Sequence, residues 1–537
     1  MNFSPTWVAV GLVGCMTFGL AAFLLSRPAF YERCVGSATP GSLGAIRVLI
    51  CSLLFLSVLW EQFPLLAALP VELRKPMGFV QFLYKIPFFE SVTRSETGLF
   101  VFQCVTATIL FLGMIGWKTR LVVPLSAFCF FTFAGLLRQY SFFWHQHLIP
   151  FYVLTVLSFT PCGDGWSVDR LIKGARGQRI PDAYTKAARY GWARYAVWTA
   201  IAFPYVFAGL SKFRNSGFLW WNANTMRRIF YTDTLNPMQF DWGISDVFIH
   251  MPDIVPALLG IAGVWGEALY GFALISRIGR RVFPAAMGFM HFCIMLLQNI
   301  LFFDLIFIQS VFFDWSKAGA AIGRWLSHQE GALKHFQDWW CRLDQRPRPL
   351  SPTAAWSSAA SKTTAQPQAV APIIIAGFMA VLVSVWTKKV EFFPLTSMQM
   401  YSQPSWLGTD PIVFYKVFAH TESGQSSREL FKQAMGVMTL NARYRAYMWK
   451  CFKDEKKMNQ CAKFFSACTA SYNRKAPTGR RITMLELQKW DWDYIHYPKE
   501  FGQGKWLGSV TIDVATAKLE RQGQANAGGS LGLGEIE

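Results

Sequence analysis

Charge is scarce in this chain. Of 537 residues only 16% are Asp, Glu, Lys or Arg, against about 25% in an average soluble domain. A chain so poor in charge is neither a disordered polymer nor a coiled coil. At this length 11 cysteines do not make a small disulfide scaffold. Several catalytic signatures are also missing. There is no Gly-rich phosphate loop. No Cys-x-x-Cys or Cys/His spacing of a zinc site is present, and no metal is expected. No internal repeat is evident. What is abundant is apolar: 53% of the residues are hydrophobic, with 48 Phe and 22 Trp. The length would allow roughly 3 soluble domains, but the composition is that of a membrane protein.

About 20 mostly apolar residues cross a bilayer as a helix. Candidate spans fall near 6–25, 43–60, 98–116, 121–137, 147–160, 195–211, 254–275, 284–301, 303–315 and 370–387. The fifth and ninth are short. Residues 284–315 read as one broken helix or a tight pair, with Asp304 at the break. The first apolar segment lacks a basic n-region and has Arg27 on its far side, so it reads as a retained helix and not a signal peptide.

The net charge of +20 is an orientation signal. With the N-terminus outside, inner loops 26–42, 117–120, 161–193, 277–283 and 316–369 hold 20 basic against 7 acidic residues. Outer loops 61–97, 138–146 and 212–253 hold 9 against 8. That is the positive-inside bias, and it speaks against a nucleic-acid partner. The stretch 388–537 then lies outside, with 21 basic and 14 acidic residues.

The expected architecture is an all-α polytopic membrane bundle of about nine or ten helices with a small α+β extracytoplasmic C-terminal domain. The expected divisions are 1–42 (first helix and inner loop), 43–316 (bundle), 317–369 (a Pro/Ser/Ala-rich linker), 370–387 (last span), 388–520 (outer domain) and 521–537 (a Gly-rich disordered tail). In the outer domain 411–419 and 506–514 read as strands, and 428–452 as an amphipathic helix. Cys451, Cys461 and Cys468 lie there, where a disulfide would persist; three is odd, leaving one free.

Ionisable residues inside a bilayer are costly and mark function. Four groups stand out. Trp144, His145, Gln146 and His147 sit at the outer mouth of the fifth span; the bland explanation is an interfacial aromatic cluster. His145 and His147 are two apart, so on a helix they would not share a face. Lys212 ends the sixth span, either as a snorkelling lysine or as a desolvated base. Glu267 lies mid-way along the seventh, with Arg47 of the second span and His291 of the eighth as candidate partners, or as one half of a structural pair. His291 alone reads as an interhelical hydrogen bond. The topology brings His145, His147 and Lys212 to the outer face, with Glu267 and His291 deeper, around a pocket opening outward.

These residues, in order, carry a resemblance. Trp144–His147, then Trp166-Ser167-Val168-Asp169-Arg170-Leu171, then Phe207-Ala208-Gly209-Leu210-Ser211-Lys212 with Trp220, then Trp265-Gly266-Glu267 and His291 resemble the vitamin K-dependent γ-carboxylase family and its bacterial relatives. The shared unit is the horizontally transferred transmembrane domain. The similarity covers roughly residues 40–316, and Phe392–Ser402 looks like the segment that follows the bundle in bacterial members. The resemblance implies a bacterial inner-membrane enzyme of the carbon–carbon lyase or quinol monooxygenase type, with both termini extracytoplasmic. The cofactor would be reduced vitamin K or another quinol, with carbon dioxide and oxygen as co-substrates. In the family, a lysine matching Lys212 is the base toward the quinol, whose oxygenation yields a stronger base that deprotonates a glutamate γ-carbon for carboxylation. His147 matches the histidine that stabilises that later step. The catalytic set would be Lys212, His147 and His291, and the quinone pocket His145, Trp144, Trp220, Glu267 and Arg47. The partners would be a membrane lipid or quinone and an extracytoplasmic protein substrate. The family's larger lumenal domain, which binds propeptide-bearing clients, has no counterpart of that size in 388–537. Two rival readings are a non-enzymatic transporter or lipid- and quinone-handling protein, with Glu267, Arg47 and His291 lining a pathway, and a scaffold whose outer domain recruits a partner.

Overall fold

The computed structural model describes residues 5–141, 145–178, 180–181, 185–238, 240–244, 246–247, 250–315, 318, 370–398, 402, 410–436 and 443–522. It is mostly helical (65%), with a small sheet region near the C-terminus. Among the described residues eight helices are long and apolar enough to cross a membrane, and two apolar helices are shorter. All ten expected spans are helical. The fifth and ninth are the short ones, as their sequence lengths suggest.

α1 (Pro5–Ser26) opens the chain. α2 (Pro40–Trp60) begins with Pro at its first turn, and the Thr39 hydroxyl accepts from Ser42 N. Both devices favour a helix start. α3 (Glu96–Ile115) is capped by Ser95 and stopped by Gly116, whose left-handed φ of 76° suits glycine. α4 (Thr119–Arg138) is followed by α5 (Leu148–Leu157). α6 (Ala188–Ser216) is the longest at 29 residues. α7 (Ala223–Leu235), α8 (Ile254–Ala268), α9 (Gly279–Gln298) and α10 (Phe303–Phe307) complete the bundle. α11 (Val370–Lys388) packs chiefly on α1, so first and last spans pair.

The Trp166–Leu171 motif is a structural staple. Asp169 accepts from Lys118 N at 2.7 Å and from Thr119 N at 2.8 Å, capping α4. An anion suits a helix N-terminus. The motif thereby ties the loop after α5 to the α3–α4 turn.

After α11 a hairpin of β1 (Glu391–Phe392) and β2 (Leu395–Thr396) buries Phe393 completely, stacked on Phe131 at 5.2 Å. The C-terminal unit then forms a five-stranded antiparallel sheet. Its strands are β3 (Ile412–Thr421), β4 (Ser426–Ser427), β5 (Ile482–Trp492), β6 (Lys505–Asp513) and β7 (Leu519–Gln522), in the order β4-β3-β5-β6-β7. The expected strands at 411–419 and 506–514 are β3 and β6. The expected helix over 428–452 is not continuous: α12 (Arg428–Ala434) stops early, and a short turn of helix, Arg445–Met448, follows. The longer helix is α13 (Glu455–Asn473), started by Asp454, whose side chain accepts from Lys457 N. β7 runs two residues into the stretch expected as tail; the rest of the tail, and the expected linker apart from Ala318, lie outside the described residues. Cys451 and Cys461 are disulfide-bonded, leaving Cys468 free and buried.

The sheet unit is docked on the bundle by buried polar contacts. Arg443 pairs with Glu61 at the end of α2, with Nη1 to Oε2 at 3.2 Å. Arg445 meets Asp233 of α7 at 3.1 Å, and the Tyr444 hydroxyl donates to the Pro237 carbonyl at 3.0 Å. Tyr231 of α7 packs on Trp492 at 5.2 Å.

Candidate functional site

α6 carries Lys212 one turn before its end. Three positions earlier, Gly209 lets α6 lie against α8: a Cβ on Gly209 would sit 2.4 Å from the Ala268 backbone nitrogen. Only a residue without a side chain permits that approach. The close crossing brings Lys212 Nζ to 2.5 Å from Glu267 Oε2. Both residues are buried, at 5% and 6% exposure. The Trp220 ring lies 5.0 Å from the ammonium, a cation–π contact. A buried ion pair of this kind gains little net stability over an apolar pair, but breaking it by removing one partner costs about 3–5 kcal/mol. Glu267 is therefore matched to Lys212 and not to Arg47 or His291, and it stands at the level of Lys212 and not deeper.

His147 occupies the turn before α5 with φ of 64°, a left-handed conformation uncommon for a branched, non-glycine side chain. Asp304 holds it there. One carboxylate oxygen, Oδ2, accepts from the His147 backbone N at 2.9 Å and lies 3.2 Å from Nδ1. Ser57 Oγ of α2 is 3.4 Å from the same nitrogen. With Nδ1–H directed at Asp304, Nε2 is an acceptor. Asp304 is fully buried at the start of α10, after the break that follows Asn299.

His291 of α9 completes the group. Its Nε2 lies 3.0 Å from the Tyr205 hydroxyl of α6. That hydroxyl accepts from Gln309 Nε2 at 2.7 Å, and Gln309 Oε1 accepts from the Tyr270 hydroxyl at 2.5 Å. The relay Tyr270–Gln309–Tyr205 therefore directs a hydroxyl proton at His291 Nε2 and leaves Nδ1–H as a donor. His291 lies within electrostatic reach of both Asp304 and Lys212, so the pairs belong to one cluster. Phe303 and Phe302 wall it, 5.9 Å from the His147 ring and 5.8 Å from the His291 ring.

Three buried polar atoms of this cluster have no hydrogen-bond partner: His147 Nε2, His291 Nδ1 and Asp304 Oδ1. Buried polar atoms are normally paired, and leaving each unmade costs about 1–3 kcal/mol. Three such exceptions meet in this one cluster.

The remaining expected site residues are placed otherwise. His145 turns away from His147, in keeping with their spacing: its Nε2 lies 2.9 Å from Thr396 Oγ1, which donates to Glu391 at 2.6 Å. Burial, and then the charge of Arg138, pushes the His145 imidazole down to about 3. It is a neutral hydrogen-bonding group, coupling the hairpin to the His147 turn. Burial pushes the Glu391 carboxyl up, against the opposing bonds from Thr396 and Ser397. Trp144 lies outside the described residues. Arg47 is separate from Glu267: its guanidinium serves the carbonyls of Cys162 at 2.8 Å, Gly165 and Met114 at 3.4 Å and Trp166 at 2.5 Å, closing the Trp166–Leu171 staple. It is a structural residue, because every one of these acceptors belongs to the loop after α5 or the end of α3.

Asp304, Tyr205, Gln309 and Tyr270 were not among the expected site residues. Asp304 carried a signal, as a carboxylate in an apolar run. The tyrosines and Gln309 carried none, since such residues are ordinary in aromatic-rich spans. Among the described residues no group of three or more His, Cys, Asp or Glu could hold a metal ion. No family model, curated protein or solved structure matches the chain.

Proposed function

We propose that this chain is an integral membrane enzyme that acts on a quinol-like lipid, with Lys212 as the base and with His147 and His291 shaping the site. One observation carries the reading: a buried Lys212–Glu267 pair within electrostatic reach of His291, which with His147 and Asp304 presents unpartnered polar atoms. A headgroup with two oxygens, each able to donate and accept, fits an acceptor (His147 Nε2), a donor (His291 Nδ1–H) and a carboxylate oxygen (Asp304 Oδ1). Bound there, a quinol supplies an acidic hydroxyl and two reducing equivalents.

The protein's part is to hold and move a proton. In a buried pair the proton on Lys212 Nζ can pass to Glu267 Oε2, giving a neutral amine and a neutral acid. The amine then has a lone pair to accept a proton from substrate. Trp220 and the Phe302–Phe303 wall exclude water, which strengthens every interaction inside. By the resemblance of its motifs, oxygen is the oxidant, and carbon dioxide the co-substrate where carboxylation of an extracytoplasmic substrate is coupled. The loop-charge bias supports a site at the outer face of a bacterial inner membrane, with both termini extracytoplasmic.

The test is quinol-dependent oxygen uptake by the protein in liposomes supplied with reduced vitamin K. Lys212→Ala is expected to lower the rate by about 10²-fold or more. An unchanged rate removes the proposed role. The rival, non-enzymatic quinone or lipid handling, is supported by the interrupted helix between α9 and α10 beside Asp304. Tracer flux that is lost in Glu267→Gln, with no oxygen uptake by the wild type, decides for it.

A further inference from the structure

A second polar cluster lies at the other end of α6. Arg194 stands 18 residues before Lys212 on this one helix, a rise of about 27 Å. That is close to the roughly 30 Å of a bilayer hydrocarbon core. Three segments converge on it. Arg194 Nη2 donates to the Ser37 carbonyl at 3.1 Å. Arg280, in the first turn of α9, donates from Nη2 to the Cys34 carbonyl at 2.8 Å and from Nε to the Ala273 carbonyl at 3.1 Å. Both guanidinium groups lie over the ring of Trp198, at 4.5 and 4.7 Å. Trp198 is itself stacked on Phe312 at 5.6 Å.

Two cations share one indole. Among the described residues neither has a carboxylate within ion-pair distance; Asp314 reaches Arg194 only at longer electrostatic range. Arg194 Nε is buried with no partner. The exposed Arg33 and Arg277 add to the same positive field, acting on Cys34 and on Arg280 respectively. Like charges held together in partly dry surroundings repel, and the carbonyls they meet do not neutralise them. Among the described residues no anion touches either guanidinium, and guanidinium forks match the oxygens of phosphate.

We propose that Arg194 and Arg280 bind the phosphate of an anionic phospholipid in the leaflet opposite the Lys212 site. The indole of Trp198 supplies the amphipathic surface that suits the headgroup level. The inference rests on the chain spanning a membrane and not on the quinol chemistry, so failure of one leaves the other standing.

Native mass spectrometry of the full-length protein in detergent tests it, with phosphatidylglycerol and phosphatidylcholine offered at equal concentration. The wild type is expected to retain phosphatidylglycerol about tenfold more than phosphatidylcholine. Arg194→Gln/Arg280→Gln is expected to abolish that preference, and Arg281→Gln, outside the cluster, to keep it. The wild-type melting temperature should rise with phosphatidylglycerol and not with phosphatidylcholine, a comparison that does not depend on the double variant folding. Equal retention of the two lipids by the wild type overturns the proposal, as does an unchanged preference in the double variant. Displacement of the lipid by millimolar inorganic phosphate assigns the site to free phosphate and overturns the lipid.

Discussion

Lys212 Nζ and Glu267 Oε2 meet at 2.5 Å, although 55 residues separate them in the chain. The contact exists because Gly209 and Ala268 let α6 and α8 touch backbone to side chain. Everything proposed about the base depends on this crossing.

A double-substitution cycle exposes the pair. Lys212→Met leaves Glu267 buried and unpaired, and is expected to cost about 3–5 kcal/mol. Lys212→Met/Glu267→Gln removes both charges and should be more stable than the single variant. Thermal unfolding in detergent reads both; a double variant less stable than Lys212→Met contradicts a direct pair.

Gly209→Val tests the crossing itself. The added side chain meets the Ala268 backbone, and such overpacking costs about 1–3 kcal/mol. Because α6 must shift, quinol-dependent oxygen uptake should fall with it even though no charged residue is altered. Full activity in this variant would mean that the helices have slack the geometry does not show.

Docking of the C-terminal unit hangs on Arg443 and Glu61, both buried. Arg443→Ala leaves a carboxylate in an apolar setting, expected to cost about 3–5 kcal/mol. Glu61→Gln/Arg443→Met should recover much of that. Limited proteolysis of residues 410–522 checks it: the single variant is cut faster than the wild type, and the double variant much less so.

Lys450 gives the C-terminal unit a pH signature. Burial first, and then Lys75 and Lys457, push its ammonium down to about 8. The folded value is below that of the unfolded chain, so between the two the unfolded chain binds more protons. Stability thus rises as pH climbs from about 8 toward about 10.5. Discounted for solvent screening at this half-buried side chain, the contribution is on the order of 2 kcal/mol. Melting curves of wild type and Lys450→Gln across this window should converge as pH rises, with the variant the more stable at pH 7. Parallel curves contradict the assignment.

The bundle was legible because apolar runs report spans directly, and a polar residue within them announces itself. Lys212, Glu267, His147 and His291 stand out that way. Their partners do not, because pairing depends on helix crossings that no local pattern encodes. Arg47 shows the cost: as a charge in an apolar run it reads as a site residue, yet its acceptors are backbone carbonyls, which leave no mark on a sequence. Asp304 was noticed only as a break, since its role depends on His147 folding back 157 positions. In the C-terminal unit the apolar strands β3 and β6 were readable. α13 was not, because its buried face of Cys461, Phe464, Phe465 and Cys468 lies among lysines and short polar residues.

The most direct test is a density map of the protein in lipid nanodiscs with a reduced quinol added. Headgroup density is expected between His147 and His291, beside Lys212, with its oxygens within hydrogen-bond distance of His147 Nε2 and His291 Nδ1. Those two nitrogens bonded instead to protein groups, or quinol density only elsewhere on the bundle, would contradict it.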